Sequence, residues 1–315
     1  MIWRKPAAQA EADTSAKRVL VIQLGGISNF IQALAAAKRI REEHIGARIT
    51  LLLGWVGEPL VDKGDFEVDE IEHSGAPDQV RVSARAADMR GPIRRRTDHS
   101  WHQQTLSQIV RAIAARNGLS AKVADALAGT VIEHIDQTNE SDLHFVSRLA
   151  RQFDATATVK KRTLIVLPID SHTTADGQAL EQVTITRAAG DQHRWHSADR
   201  DSYSGVRASW YDKRTARRRH VRAGSEQNEK RLKDTHATEA DALAAADSEL
   251  RRIQRGMATL EITLAEGRPE LMPQSPANVA GFKPEIDSTD WLVVKVTHTI
   301  DDGGFTTRVE MERSG

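Results

Sequence analysis

Trp291-Leu292-Val293-Val294-Lys295-Val296-Thr297-His298-Thr299 leads, through Ile300 and Asp301, into Asp302-Gly303-Gly304 and then Phe305-Thr306-Thr307-Arg308-Val309-Glu310-Met311. Leu292, Val294 and Val296 recur at every second position and so share one face of an extended strand. Asp302-Gly303-Gly304 supplies the backbone freedom of a hairpin turn. Phe305, Thr307, Val309 and Met311 repeat the period of two. The stretch is predicted to be an antiparallel hairpin with one buried face.

The same texture extends toward the N-terminus. Leu260, Ile262 and Leu264 alternate as another strand, and Pro269, Pro273 and Pro276 mark a stiff connection after it. A helix is expected from Thr238, with Asp241 at capping-box distance, a stripe of Leu243, Ala246, Leu250 and Ile253, and a stop at Gly256. The segment from Val206 to Val221 mixes strand residues with basic ones, Val183-Thr184-Ile185 is a short strand, and 170–181 is a loop. Thr156 to Val159 and Leu164 to Leu167 form a hairpin around Lys160-Lys161-Arg162. Two further helices are expected. One carries Leu106, Ile109, Val110 and Ile113, with Ser100 or Thr105 as cap and Gly118 as stop. The other follows Asn139-Glu140-Ser141-Asp142, with Leu143, Val146, Leu149 and Ala150 on one face. Before them, Asp65 to Asp69 and Val80 to Arg85 alternate around Pro77-Asp78, a second hairpin. Residues 18–53 read as strand, glycine turn (Gly25-Gly26), helix (Phe30, Leu34, Ala37) and strand, long enough for a parallel pair with a crossover helix. Residues 1–17 read as a disordered lead. The fold class is α+β, strand-rich after residue 54.

Composition bounds the function. The 315 residues suffice for about two domains. Formal net charge is +0, with 44 basic and 44 acidic residues. That gives no global field for nucleic acid. There is no cysteine, which excludes disulfides, thiolate metal sites and Cys nucleophiles. The longest apolar run, Ile49 to Val56, is too short to span a bilayer as a helix, and no apolar signal core precedes it.

Four chemical motifs deserve weighing. The glycine turn Leu24-Gly25-Gly26-Ile27-Ser28-Asn29-Phe30 lacks the third glycine of a dinucleotide fingerprint and the lysine of a P-loop, so it reads as a tight turn. Twelve histidines include His73, His134 and His144 and the i, i+3 pairs His99/His102 and His193/His196. Without thiols or an H-E-x-x-H motif they read as scattered surface or turn residues. Asp69, Glu70 and Glu72 lie along one strand, where neighbours face opposite ways; Asp199-Arg200-Asp201 reads as a charged turn. Lys213, Arg214, Arg217, Arg218, Arg219, His220 and Arg222 form a basic cluster without interleaved aromatics. It reads as a solvated strand edge, because basic side chains discourage edge pairing; in an oligomer it would meet an acidic neighbour or line a channel. No catalytic, cofactor-binding or metal-binding residue is assigned, and no cofactor is expected.

Two resemblances add to this reading. Arg18 to Ile27, Phe30 to Leu34 and Gly46 to Leu52 resemble the start of a family 9 glycosyltransferase of the lipopolysaccharide heptosyltransferase type. That implies a nucleotide-sugar transferase fragment. Asn29 stands where that family carries an aspartate and has no carboxylate to act as base, so the fragment is expected to be inactive.

The longer resemblance runs from about Leu51 to Glu312. Its carrying stretches are Leu53-Gly54-Trp55, Phe66 to Gly75, Ser100-Trp101-His102, Ile135 to Asp142 with Phe145, Gly190 to His193, Leu264 to Pro269 and Gly281 to Asp287. They are similar to the phage late control gene D family, the baseplate hub of contractile tails, and to the hub-like part of type VI spike proteins. The resemblance implies strand-rich β-barrel hub domains with α/β insertions and a homotrimer joining the tail tube protein to the tail spike protein. It implies no enzyme activity, no nucleic-acid sequence recognition and no membrane insertion. The expected location is the virion tail, and the cytoplasm of the bacterial host during assembly. The expected domains are a lead over 1–17, a transferase-like β-α-β fragment over 18–53, a partial first hub barrel over 54–99, an α/β insertion over 100–182, and a second hub barrel region over 183–315 with a helix at about 238–255. The junction between the two resemblances is expected within Gly46 to Leu52.

Overall fold

In the computed structural model the C-terminal stretch forms two neighbouring strands, and Phe305, Thr307, Val309 and Met311 all point into the core. The structure describes residues 18–24, 46–76, 79–86, 92–174, 176–197, 203–301 and 304–315. The expected lead over 1–17, the Gly25-Gly26 turn with its helix, Asn29, and the turns at Pro77-Asp78, Asp199-Arg200-Asp201 and Asp302-Gly303 lie outside these residues.

The chain divides into two compact units. The first holds β1 (Arg18–Leu24), β2 (Arg48–Trp55), β3 (Val61–Ser74) and β4 (Gln79–Ala86), together with Leu264–Glu270 and Thr297–Thr307. Its sheet runs β1-β2-β3-β4. β1 and β2 are parallel and the other pairs antiparallel. Two of the stretches singled out in the sequence meet here across 212 positions. Trp55 Nε1 donates to the Gly267 carbonyl at 2.8 Å, and its ring lies 5.5 Å from that of Phe305. Gly267 has no substitute at this point, since a Cβ would sit 2.3 Å from the Phe305 ring.

The second unit comprises Gly91–Thr263, Leu271–Val296 and Arg308–Gly315. β5 (Arg96–Thr105) pairs with β7 (Val131–Ser141) as a ribbon, and β6 (Ser120–Val123), β9 (Thr163–Pro168) and β8 (Ala155–Lys160) form a small sheet. Helices α1 (Leu106–Arg116) and α2 (Asp142–Arg151) follow the two ribbon strands. Thr105 caps α1 with a full capping box, and Ser141 caps α2. Ser100 lies within β5 instead, where its hydroxyl donates to Asp136 at 2.6 Å.

Polar residues tie these elements together. Asp142 is buried and accepts from Arg116, from Asn117 Nδ2 at 2.7 Å and from Gln137 Nε2 at 2.8 Å. Burial works to raise its carboxyl, but those donors outweigh it and hold it below the usual range. Asp154 takes two hydrogen bonds from the buried Arg255 guanidinium, at 2.7 and 2.5 Å, and one from Arg251 at 3.0 Å. Both arginines lie on α3 (Glu239–Gly256), the helix expected from the Thr238 cap. Ala246, Leu250 and Ile253 of the expected stripe face the core, but Leu243 does not. Ala242, Ala245 and Ala246 are buried, whereas Leu243 is 42% exposed.

α3 packs on a three-stranded sheet of order β13-β12-β14, formed by β12 (Gly205–Asp212), β13 (Arg217–Gly224) and β14 (Glu229–His236). Val206, Ala208 and Ala223 meet Ala242 and Ala246 there, with Leu250 and Ile253 alongside. The small alanines let the helix axis approach the sheet, which is why the seam avoids Leu243.

The last sheet has six strands: β10 (Val183–Thr186), β11 (Gly190–Ser197), β15 (Ala258–Leu264), β16 (Pro276–Ala280), β17 (Trp291–Asp301) and β18 (Gly304–Arg313). Its order is β10-β16-β17-β18-β15-β11. The consecutive strands β10 and β11 therefore sit at opposite edges. Five strand spacings in a flat sheet span about 24 Å. The chain from Thr186 to Gly190 reaches at most about 14 Å. The sheet has to curl until its edges approach, and the result is barrel-like. Gly190 sits at the corner, where a Cβ would stand 2.6 Å from the Thr263 carbonyl oxygen.

Candidate functional site: a basic and aromatic cleft beside the sheet edge

The corner between β10 and β11 creates a concave surface. Two adjoining hollows of about 500 and 410 Å³ share Arg187. The first is lined by Thr186, Arg187 and Ala188 with Ala280 and Gly281. The second adds His193, Arg194 and Trp195 from β11, and Phe282, Lys283 and Ile286 from the segment after β16. Ile286 is buried and gives an apolar floor; Trp195 is 36% exposed and gives an apolar wall.

Local chemistry fixes this geometry. Asp287 accepts from the backbone N–H groups of Gly281 and Phe282 at 3.1 and 3.0 Å, and the Trp291 indole donates to the Ile286 carbonyl at 3.0 Å. The Phe282 ring is thereby presented edge-to-face to His193 at 5.0 Å. Gly281 adopts φ +87, a conformation that favours glycine. Among the described residues, Arg187, Arg194 and Lys283 have no carboxylate within ion-pair distance. β11 ends the sheet on this side, so its outer backbone groups have no strand partner among the described residues.

The basic cluster singled out in the sequence is differently placed. It occupies edge strand β13 and the β12–β13 turn, in keeping with a solvated edge. Arg219 pairs with Asp212 at 3.0 Å. Arg222 pairs with Glu226 at 2.9 Å and with Glu229 at 3.1 Å. Arg207 and Arg231 approach the same Glu229 at 3.1 and 3.6 Å. Burial tends to raise the Glu229 carboxyl, but the Arg222 hydrogen bond and the surrounding guanidinium charges outweigh it and lower it. Arg217 and Arg218 are exposed on the strand.

The histidine pairs separate. His99 and His102 lie three apart on one strand, so they face opposite ways. His99 meets Trp101 at 4.3 Å, while His102 stacks on His134 from β7 at 4.6 Å. His134 also contacts Asp136 at 3.2 Å. His193 and His196 divide in the same way across β11. Among the described residues no group of three or more His, Asp or Glu is arranged to hold a metal ion. No described helix is long and apolar enough to cross a membrane.

The cleft was not visible in the sequence. Arg187, Arg194 and Lys283 are scattered over nearly a hundred positions, and the topology alone gathers them. The one signal present was the motif Gly281 to Asp287, which supplies its lip.

Comparison with known proteins places the chain. The sequence model described as phage tail baseplate hub (GPD) matches residues 32–304. The chain is 41% identical over 308 residues to the probable baseplate hub protein of Escherichia phage 186, covering 85% of this chain and 79% of that one. The probable baseplate hub protein of Escherichia phage P2 is 41% identical over 307 residues, with the same coverage. In structure the chain resembles the tail protein from Neisseria meningitidis MC58 (TM-score 0.62, 11% identity, 80% of this chain and 82% of that one). It also resembles the 43 kDa tail protein of prophage MuSo2 from Shewanella oneidensis (0.59, 15%, 85% and 90%). A third likeness is to an E. coli type VI secretion component described as structurally similar to the T4 tail proteins gp27 and gp5 (0.54, 16%, 84% and 63%). These likenesses support a strand-rich tail-protein fold. The transferase reading of residues 18–53 is not borne out: the hub match already begins at residue 32, inside the stretch on which that reading rested. The resemblance found after Leu51 thus extends further toward the N-terminus than expected, and the chain belongs to the phage tail baseplate hub (GPD) family.

Proposed function

We propose that this baseplate hub works as a structural subunit of a contractile tail, joining the tail tube protein to the tail spike protein as a homotrimer and catalysing no reaction. The observation that carries the reading is the family match over residues 32–304, supported by the barrel-like curl imposed on the six-stranded sheet. A ring that sits between protein partners needs defined edges and polar faces rather than an enclosed reaction site. The described surface offers such faces on the β5–β7 ribbon and on β12–β14.

Within this reading the fold is α+β. After the parallel strands β1 and β2, residues 54–99 form a partial first hub barrel, 100–182 an α/β insertion, and 183–315 a second barrel region with its helix at about 238–255. The protein is assembled in the cytoplasm of the host and ends in the virion tail. It needs no cofactor, does not recognise nucleic-acid sequence and does not insert into a membrane. Co-expression with the tube and spike proteins of the same tail, followed by mass measurement and electron microscopy, tests the reading. A three-fold ring bound to both partners is expected. A monodisperse monomer with affinity for neither overturns it.

A further inference from the structure

We propose that the cleft beside β11 receives an extended acidic segment of a partner tail protein, one that also carries apolar side chains. This rests on the hub reading above and names what one of its surfaces recognises. Three features of the cleft select the occupant.

The first is charge. Arg187, Arg194 and Lys283 surround the hollows, and among the described residues none has an acidic partner. Elsewhere in this neutral chain, arginines such as Arg116, Arg207, Arg222 and Arg255 hold carboxylates. Cations gathered around a concavity and left without counter-charge favour an incoming anion.

The second is shape and apolar surface. Trp195 and Phe282 flank a floor made by buried Ile286. Phe282 is held by the Asp287 cap, so the wall is formed before anything binds. An aromatic wall beside arginines is the composition enriched at protein interface anchors.

The third is the sheet edge. The outer side of β11 offers backbone donors and acceptors with no strand partner among the described residues. An extended segment satisfies them by adding alongside, with side chains alternating between the cations and the apolar floor. Nucleic acid fits less well. A phosphate backbone gains affinity from many neutralised charges, and this cleft supplies three permanent ones around an apolar floor.

The test uses the full chain and a fluorescein-labelled peptide alternating Glu and Leu. Fluorescence anisotropy is expected to show saturable binding that weakens as salt rises from about 50 to about 200 mM. The double variant Arg187→Glu/Arg194→Glu is expected to lose about tenfold or more in affinity, and Trp195→Ala a comparable factor. Arg218→Glu, on the exposed edge strand β13, is expected to change affinity less than about twofold. Thermal unfolding of each variant establishes that it is folded. Absence of saturable binding, indifference to the double reversal, or tighter binding of a single-stranded oligonucleotide of equal charge overturns the proposal. The same variants are examined for ring formation with the tube and spike proteins. A ring that forms while the peptide does not bind sinks the cleft assignment and leaves the hub reading intact. A peptide that binds while no ring forms removes the tail partner on which the proposal depends.

Discussion

The β12–β13 hairpin and the cleft beside β11 are both basic, yet only one is built to hold something. On the hairpin, the arginines are close in sequence and spread along an exposed edge strand, with Arg219 and Arg222 already holding carboxylates. In the cleft, cations distant in sequence converge on a hollow with aromatic walls, and among the described residues none of them holds a carboxylate. Clustered charge in a sequence marks a solvated edge; clustered charge in space, left unpaired beside a concavity, marks a surface in search of a counter-charge. The difference lies in topology, since the curl of the six-stranded sheet makes the hollow.

Paired and unpaired arginines should respond oppositely to mutation, and the largest effect is expected at the most buried pair. Asp154→Ala strands Arg255, whose side chain is 3% exposed, and should cost about 3–5 kcal/mol in chemical denaturation. If the loss is below about 1 kcal/mol, the pairing that distinguishes the two classes is not holding the fold. Next comes Gly267→Ala. Its Cβ collides with the Phe305 ring, and the displacement should cost about 1–3 kcal/mol, read as a lowered Tm. Trp55→Phe, which loses only the indole hydrogen bond to Gly267, should cost about 1 kcal/mol.

A pH effect of similar size is expected in the first unit. Burial, helped by Lys63 and opposed by Glu270, pushes His298 down to about 4. The unfolded side chain titrates near 6.5 (about the model-peptide value). Between those values the unfolded chain binds a proton that the folded chain does not. Stability from this residue is therefore complete above about pH 6.5 and declines as pH falls toward 4. After allowance for the partial exposure of the ring, the decline should be about 1 kcal/mol. His298→Asn should flatten that part of the stability profile, and an unchanged profile contradicts the assignment. The smallest effect belongs to the cleft: Arg187→Glu and Arg194→Glu should each change stability by less than about 0.5 kcal/mol. A large loss there would mean that these cations support the fold and are not free for a partner.

Much of the fold was legible because side-chain period and caps declare it. The C-terminal hairpin, the caps at Thr105 and Thr238 and the β8–β9 hairpin all follow from local chemistry. What escaped reading was written in backbone pairing. β14 carries a single large apolar residue, Leu232, and β11 only Trp195, so neither shows a period; both are strands because neighbours accept their hydrogen bonds. β16 was hidden among prolines; its Ala277 and Val279 are buried. α3 was placed correctly, and Ala246, Leu250 and Ile253 face the core as expected, but Leu243 does not. Hydropathy favours Leu243 over alanine, whereas close helix–sheet approach selects Ala242 and Ala246. The cleft was beyond local reading altogether, because pairing of β10 with β16 sets Arg187 beside the segment that carries Lys283, and β11 adds Arg194 from elsewhere in the chain.

The family match carries the functional account, and the assembly it implies can be weighed. The most direct measurement is the mass in solution of the full chain mixed with its tail tube and spike proteins, with the same particles imaged by electron microscopy. The expected result is a three-fold ring with tube protein on one face and spike on the other. A monomer that leaves both partners unbound would contradict it.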